Sequence, residues 1–110
     1  MAQNVWSKWL KTSKQTVQDK LFSLRKTIDL LDYDLINTLV KRIGVVAEIG
    51  KLKKEDQIAI FQIKRWFEMM NDRKHVGSKA NLDEEFLHEL FSIIHKYSVK
   101  TQTEILQRKD

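Results

Sequence analysis

Apolar residues recur at steps of three and four over long stretches of this chain, which is the spacing of one face of an α-helix. The first pattern covers residues 17–53 and predicts one very long helix, and a second covers residues 59–71. A polar stretch at 71–81 is predicted to connect it to a third helix, which opens with a capping box formed by Asn81 and Glu84. Because no strand-like alternation occurs, the sequence predicts an all-α fold with three helices per chain.

The length of the first predicted helix bears on assembly. A helix of about 35 residues is roughly 50 Å long, whereas a compact domain of this size is roughly 35 Å across. Its apolar face would therefore extend into water unless a second copy covered it. We expect a homodimer in which the long helices pack together, provided that the first helix is continuous through Gly44 and Gly50.

Composition and charge exclude several classes of protein. The chain of 110 residues has no cysteine, which excludes disulfides, thiolate catalysis and cysteine-ligated metals. Its net charge of +5 is concentrated in the first twenty residues, and both signs are interspersed elsewhere, so a nucleic-acid partner is not expected. No apolar run approaches the roughly 20 residues of a membrane span, and the N-terminus lacks a signal-peptide core. We expect a cytoplasmic protein without a membrane partner.

Arg42 interrupts the apolar face of the first predicted helix, between Leu39 and Val46. No residue one helical turn away from it is acidic, and a buried guanidinium without a counter-charge costs several kcal/mol. Its anion must therefore be either a distant carboxylate of the protein or a bound ligand. Lys53 lies three turns further along the same face, where the predicted helix ends and lysine is common for other reasons.

Two further arginines accompany the apolar faces. Arg25 lies beside the first face, and Arg65 lies in the second predicted helix. Each has an acidic residue within one turn, Asp29 and Glu68 respectively, that could neutralise it. Both arginines are therefore candidates for a ligand site or for ordinary ion pairs.

The third predicted helix carries Ser98 and Gln102 where leucines would continue its apolar face. Buried hydroxyl and amide groups need hydrogen-bond partners. Together with the inward-facing cations, these two residues describe a pocket for a small molecule with two carboxylates. No nucleophile or general base accompanies them, so a reaction that needs only shape and electrostatics fits the pocket best.

Two other groups of residues have simpler interpretations. His88 and His95 share a face with Glu84, but a metal site needs three or four converging ligands, so we expect a solvated face. Trp6 and Trp9 continue a helical spacing towards residue 17. They predict a partly helical N-terminal extension, residues 1–17, that packs on the dimer or on a partner protein.

Several motifs resemble the helical (AroQ-type) chorismate mutase family. They are Leu-Arg-Lys-Thr-Ile-Asp-Leu-Leu-Asp at 24–32, Leu-Val-Lys-Arg at 39–42, Glu-Ile-Gly-Lys-Leu-Lys at 48–53 and Ile-Ile-His-Lys-Tyr-Ser-Val-Lys-Thr-Gln at 93–102. The resemblance covers about residues 20–107, so we interpret residues 18–110 as a chorismate mutase domain. It implies three helices per chain, intertwined with a second chain into a six-helix homodimer.

The resemblance also implies a reaction and its binding residues. The family rearranges chorismate to prephenate in phenylalanine and tyrosine biosynthesis, without a cofactor or a covalent intermediate. By resemblance, Arg42 would bind a substrate carboxylate, Arg25 would reach the carboxylates from the partner chain, and Arg65 would add to the positive pocket. Lys53 and Gln102 would contact the ether oxygen, whose negative charge grows in the transition state. Ser98 would lie near the ring carboxylate.

Two positions depart from the commonest family pattern. Many members have an acidic residue at the position of Gln62, and at Trp66 they have the glutamate that accepts a hydrogen bond from the ring hydroxyl of the substrate. By resemblance, the hydroxyl would here meet Gln62 or a backbone carbonyl near it, and Trp66 would belong to the core. The Gln-x-x-Arg-Trp pattern resembles the branch that is fused to or bound by DAHP synthase, the first enzyme of the shikimate pathway.

Two alternatives to a mutase follow from the same resemblance. Isochorismate-pyruvate lyases share the fold and the positive site, although Ser98 favours the mutase because the lyases carry an apolar residue there. A weakly active regulatory or dimerisation module is the other alternative. The residues that argue against it are the intact Arg25, Arg42, Lys53, Arg65 and Gln102.

Overall fold

The computed structural model describes the backbone of residues 5–109 and the side chains of residues 14–109. It contains three helices in chain order, α1 (Val5–Glu55), α2 (Ile63–Lys79) and α3 (Glu84–Gln107). No strand occurs among residues 5–109, so the predicted all-α fold with a very long first helix is confirmed. Within the described residues, none of the helices combines the length and apolar character that crossing a membrane requires. The homodimer stays a prediction.

The chain divides into two compact units, residues 1–40 and 41–110. Within the first unit, all described residues belong to α1. The second unit contains the end of α1 together with α2 and α3, and it holds the buried apolar core, formed by Val46, Met69, Met70, Leu87 and Ile105. The side chains of Trp6 and Trp9 lie outside the described residues, so the role of the N-terminal extension remains a prediction.

The second helix differs from its predicted bounds. It begins at Ile63 rather than at residue 59 and continues to Lys79, so the interpretation of 71–81 as a connecting stretch is wrong. The polar residues of this stretch are compatible with a helix whose outer face is in water. Gly77 lies within this helix and does not interrupt it. Because it has no side chain, it leaves room for Leu87 of α3.

The turn between α2 and α3 depends on Asn81 in a way that the sequence reading did not foresee. Asn81 has a φ of 63°, in the left-handed region that asparagine tolerates better than most residues. Its N–H donates to the Ser78 carbonyl at 3.1 Å, and the Leu82 N–H donates to the Gly77 carbonyl at 3.0 Å. These are the two hydrogen bonds of a Schellman motif, so Asn81 ends α2.

The N-cap of α3 is Asp83, and the predicted capping box of Asn81 and Glu84 is wrong. The Asp83 carboxylate accepts a hydrogen bond from the Phe86 N–H at 3.0 Å. Aspartate in this position satisfies one exposed N–H of the first turn and complements the positive end of the helix dipole. The N-cap therefore lies two residues later than the capping-box interpretation placed it.

Substitution of two glycines by alanine should change stability in opposite directions. A Cβ at Gly77 would overlap the methyl carbons of Leu87, with Cδ2 at 2.8 Å, and Leu87 is buried. Overpacking of this kind costs about 1–3 kcal/mol. At Gly44 a Cβ meets nothing within 4 Å, so Gly44→Ala should stabilise α1 by about 0.5–1 kcal/mol.

Urea denaturation at one protein concentration measures both free energies of unfolding. We expect Gly77→Ala to lower the value, despite the better helix propensity of alanine, and Gly44→Ala to raise it. A Gly77→Ala variant as stable as Gly44→Ala would contradict the packing described for Leu87.

Candidate active site

A cavity of about 310 Å³ lies in the second unit, lined by residues of α1, α2, α3 and the loop that joins α1 to α2. Its volume is at the lower end of the range for small-molecule sites, about 300–1,000 Å³. Six residues that the sequence singled out line it together: Arg42, Lys53, Gln62, Arg65, Ser98 and Gln102. The rest of the lining is Val46, Ile49, Ile60, Trp66, Met69 and His95.

Arg42 is held in place by α3. Its Nη1 donates a hydrogen bond to Ser98 Oγ at 2.7 Å, and Ser98 Oγ in turn donates to the Ile94 carbonyl at 2.9 Å. Ser98 is buried, and its hydroxyl is oriented because it both accepts and donates. In the described part of the chain Arg42 has no ion pair, so four of its five guanidinium N–H groups are left for other acceptors.

Lys53 is held by the loop between α1 and α2. Its Nζ donates to the Ile60 carbonyl at 2.7 Å, and the Ile58 N–H donates to the Lys53 carbonyl at 2.8 Å. The loop turns back at Gln57, which has a φ of 55°. Because a lysine ammonium carries three protons, the contact with Ile60 leaves two for a ligand.

The cavity is positively charged. None of its lining residues is acidic, and three carry a positive charge: Arg42, Lys53 and Arg65. The pKa of Arg42 is lowered, chiefly by burial and further by the positive charges of Arg73 and Arg65. Burial also lowers the pKa of Lys53. Because no acidic residue lines the cavity, a bound anion would offset both the burial of these charges and their mutual repulsion.

The ion pairs expected for the other two arginines are not found among the described residues. Glu68 lies 3.9 Å from Lys64 Nζ and not against Arg65, so Arg65 keeps its charge for the cavity. Arg25 belongs to the first unit, is exposed, and is not among the lining residues. Its contribution from a partner chain stays a prediction.

Gln102 brings an unsatisfied polar atom to the cavity. The residue is 7% exposed, and its Oε1 has no hydrogen-bond partner among the described residues. Leaving such an acceptor unpaired costs about 1–3 kcal/mol. The residue is close to α1, because a Cβ at Gly50 would lie 3.3 Å from the Gln102 Cα. A ligand or water that donates to Oε1 would remove the cost.

His95 is the cavity residue that the sequence analysis missed. It was expected on a solvated face with His88, which is exposed, but it is half-buried in the cavity wall. Its ring centroid lies 4.4 Å from that of Trp66 and 5.7 Å from that of Phe61. The spacing of residues 95, 98 and 102 places them on one face of α3, and this signal could have revealed it. Trp66, expected in the core, also lines the cavity.

The described residues contain no cluster of three or more histidine, aspartate or glutamate side chains that could hold a metal. The donors of the cavity are instead guanidinium, ammonium and amide groups, which suit carboxylates and ether or hydroxyl oxygens.

Comparison with known proteins agrees with this donor set. The family model described as chorismate mutase type II matches residues 24–103. The chain belongs to this family. The matched range includes Arg25 and every cavity residue named above.

Relatives of the chain are longer proteins. The bifunctional chorismate mutase/prephenate dehydratase of Buchnera aphidicola (subspecies Baizongia pistaciae) is 30% identical over 93 residues, which cover 84% of this chain and 25% of the relative. The Escherichia coli K12 protein of the same description is also 30% identical, over 84% of this chain and 24% of its own. The T-protein of Haemophilus influenzae is 29% identical over 72 residues, 66% of this chain and 19% of its own.

The chain thus spans about a quarter or less of these curated relatives. Two of the three are described as fusions with a prephenate dehydratase and none with a DAHP synthase. Membership of the family is therefore shown, whereas the predicted association with DAHP synthase is not.

The position of His95 predicts a pH dependence of stability. Burial lowers the pKa of His95, and the charges of Arg42 and Lys53 lower it further. The unfolded chain, with a histidine pKa of about 6.5, therefore takes up a proton at a higher pH than the folded chain. The stability contributed by neutral His95 is complete above a pH of about 6.5, the pKa in the unfolded chain. It is lost as the pH falls from there through the lower pKa of the folded chain.

We expect the free energy of unfolding to fall more steeply between pH 7.5 and pH 5 in the wild type than in His95→Phe. His88→Phe, at an exposed position of the same helix, is the matched control and should follow the wild type. Parallel curves for all three proteins would show that His95 is not in a positive, partly buried environment.

Proposed function

We propose that this chain is a chorismate mutase that converts chorismate to prephenate by an intramolecular [3,3] rearrangement without a cofactor. The observation that carries the proposal is a cavity lined by three cations and by no acidic residue. Chorismate has two carboxylates, an ether oxygen and a ring hydroxyl, and it matches such a donor set. Membership of the chorismate mutase type II family supports the same substrate.

In the proposed mechanism the arginines select the reactive conformation. Arg42 and Arg65 bind the carboxylates and thereby hold the enolpyruvyl side chain over the ring, which lowers the entropic part of the barrier. The hydrogen bond from Arg42 to Ser98 fixes the direction of the guanidinium before the substrate arrives. Preorganised donors of this kind need not reorient during the reaction.

Lys53 and Gln102 act on the ether oxygen. Negative charge grows on this oxygen as its bond to the ring breaks, so a nearby ammonium binds the transition state more tightly than the substrate. The Ile60 carbonyl holds Lys53 Nζ at the cavity wall, and Gln102 adds an amide donor from α3.

We further propose that two copies form a homodimer through the first unit. The apolar face of α1 there includes Leu24, Ile28, Leu31 and Leu35, which are between 54% and 62% exposed. A row of leucine and isoleucine side chains along one helix face is unstable in water and suits a second copy of the same helix. Arg25 follows Leu24 directly and would reach the cavity of the partner chain, as the family resemblance implies.

Two alternatives keep specific support. The fold and the cations would also suit an isochorismate-pyruvate lyase, against which Ser98 argues. Gln62 and Trp66 favour a module that is fused to or bound by DAHP synthase and is weakly active alone.

Calorimetric titration of the purified chain with a DAHP synthase from the same genome tests that partnership, and absence of binding heat would refute a non-covalent complex.

Purified protein supplied separately with chorismate and with isochorismate distinguishes these reactions. Formation of prephenate from chorismate supports the mutase, whereas salicylate plus pyruvate from isochorismate supports the lyase. A chain that converts neither substrate contradicts the proposed activity. Product identification by liquid chromatography accompanies the absorbance trace, because both substrates absorb in the ultraviolet.

Replacement of Lys53 should abolish most of the catalysis. Removing one preorganised donor typically costs about 2.7–4 kcal/mol of transition-state stabilisation. We therefore expect Lys53→Ala to lower kcat at least about a hundredfold. The matched control is Lys51→Ala, which removes an exposed lysine of the same helix that does not line the cavity. Comparable rates for the two variants would rule out the proposed role of Lys53.

Mixing subunits tests whether Arg25 acts across the dimer. Arg25→Ala and Arg42→Ala homodimers should both be nearly inactive, since every site lacks one arginine. In a one-to-one mixture that has exchanged subunits, half of the dimers contain both chains, and each of these has one intact site of two. The activity should therefore recover to about a quarter of the wild-type value. No recovery above the average of the two variants would mean that Arg25 does not act on the partner's site.

A further inference from the structure

Two aromatic rings of the cavity lining, those of His95 and Trp66, have no role in the reaction described above. His95 of α3 packs against Trp66 of α2 with ring centroids 4.4 Å apart, and it makes an edge-to-face contact at 5.7 Å with Phe61, which lies in the preceding loop and outside the cavity lining. Three separate segments therefore hold the imidazole. A ring fixed in this way presents its nitrogens in a defined direction at little further entropic cost on binding.

The imidazole nitrogens have no hydrogen-bond partner in the described part of the chain, although His95 lines the cavity. The charged side chains of the cavity, Arg42, Lys53 and Arg65, can only donate. Ser98 already uses its proton on the Ile94 carbonyl. A ligand that brings a hydroxyl proton therefore needs one of few acceptors, and a neutral imidazole is one of them.

The surroundings of His95 keep its ring neutral at physiological pH. No carboxylate faces it from the other lining segments, and the charged groups of the cavity are Arg42, Lys53 and Arg65, all positive. Burial and the charges of Arg42 and Lys53 lower the pKa of His95 below its usual value. One ring nitrogen is thus an acceptor, which a protonated imidazole would not offer.

Gln62 and Gln102 are the other side-chain acceptors. Gln62 is exposed, and although it is the N-cap residue of α2, its side chain makes no capping hydrogen bond. Its amide is therefore not held in one direction. Gln102 is fixed, but in the proposed mechanism its amide lies at the ether oxygen. The hydroxyl of chorismate lies on the ring, and the other acceptor that packing holds in the cavity is the imidazole.

We propose that His95 is a substrate-binding residue that accepts a hydrogen bond from the ring hydroxyl of chorismate, held for this purpose by Trp66 and Phe61. The inference deepens the proposed function and rests on it. On this proposal, His95 distinguishes substrates that have the ring hydroxyl from those that lack it, and the cations bind the carboxylates.

The test uses two cyclic ether dicarboxylates that mimic the rearranging ring system and differ only in the presence of one ring hydroxyl. Their dissociation constants are measured by titration calorimetry on the full chain. A hydrogen bond between neutral groups contributes about 0.5–1.5 kcal/mol, so the wild type should bind the hydroxylated compound up to about tenfold more tightly.

Variants of His95 separate its nitrogens from its packing. His95→Phe retains the ring contacts but has no acceptor, and the preference for the hydroxyl should disappear. His95→Gln retains an acceptor oxygen and should keep most of the preference. His88→Phe is the control outside the cavity and should behave as the wild type. His95→Met is a second variant without a strong acceptor, for use if His95→Phe does not fold.

The outcomes are distinguishable from those of the proposed function. If the wild type converts chorismate but His95→Phe keeps the full preference, or if Gln62→Ala alone abolishes it, the inference about His95 is overturned and the mutase stands. If the wild type does not convert chorismate yet shows a preference that His95→Phe abolishes, the mutase fails and the hydroxyl contact stands. A wild type that binds neither compound overturns the inference about His95, and the mutase is overturned with it only if chorismate is not converted either.

Discussion

The chemistry of the cavity in the second unit depends on one electrostatic constraint, namely that its half-buried cations, Arg42 and Lys53, have no negative partner among the cavity lining. Arg42 donates to a serine hydroxyl and Lys53 to a backbone carbonyl, and both acceptors are neutral. Such contacts fix the direction of a cation without cancelling its charge. The cations therefore remain without a counter-charge after folding, and a bound anion can supply it.

Helical periodicity was sufficient to predict the fold class and part of the cavity. Arg42, Ser98 and Gln102 were identified because they interrupt apolar faces, whereas the roles of Lys53 and Gln62 came from the family resemblance, and the structure brings all five to one cavity. The hydrogen bonds that end α2 and cap α3 could not be predicted from the sequence in the same way. The left-handed backbone of Asn81, and hence the choice of Asp83 as N-cap, depends on how α2 ends. That end is made by the hydrogen bonds from the Asn81 and Leu82 N–H groups to the Ser78 and Gly77 carbonyls.

His95 shows a second limit of sequence reasoning. A histidine among polar neighbours is usually solvated, and only the packing of two aromatic side chains from other segments places this one in the cavity wall. Glu68 shows the converse: spacing allowed a partner for Arg65, but the carboxylate lies against Lys64. The match to the chorismate mutase type II family spans all of these side chains.

The loop between α1 and α2 illustrates how an important contact can be nearly invisible in a sequence. The atom that holds the Lys53 ammonium is the oxygen of the peptide group of Ile60, which every residue type possesses. Substitutions at 56–61 can therefore leave the Lys53 ammonium in place, as long as the backbone of the loop keeps the same conformation. Only Gln57, with its left-handed φ, constrains that conformation strongly, and there glycine or asparagine would be tolerated where valine or isoleucine would not.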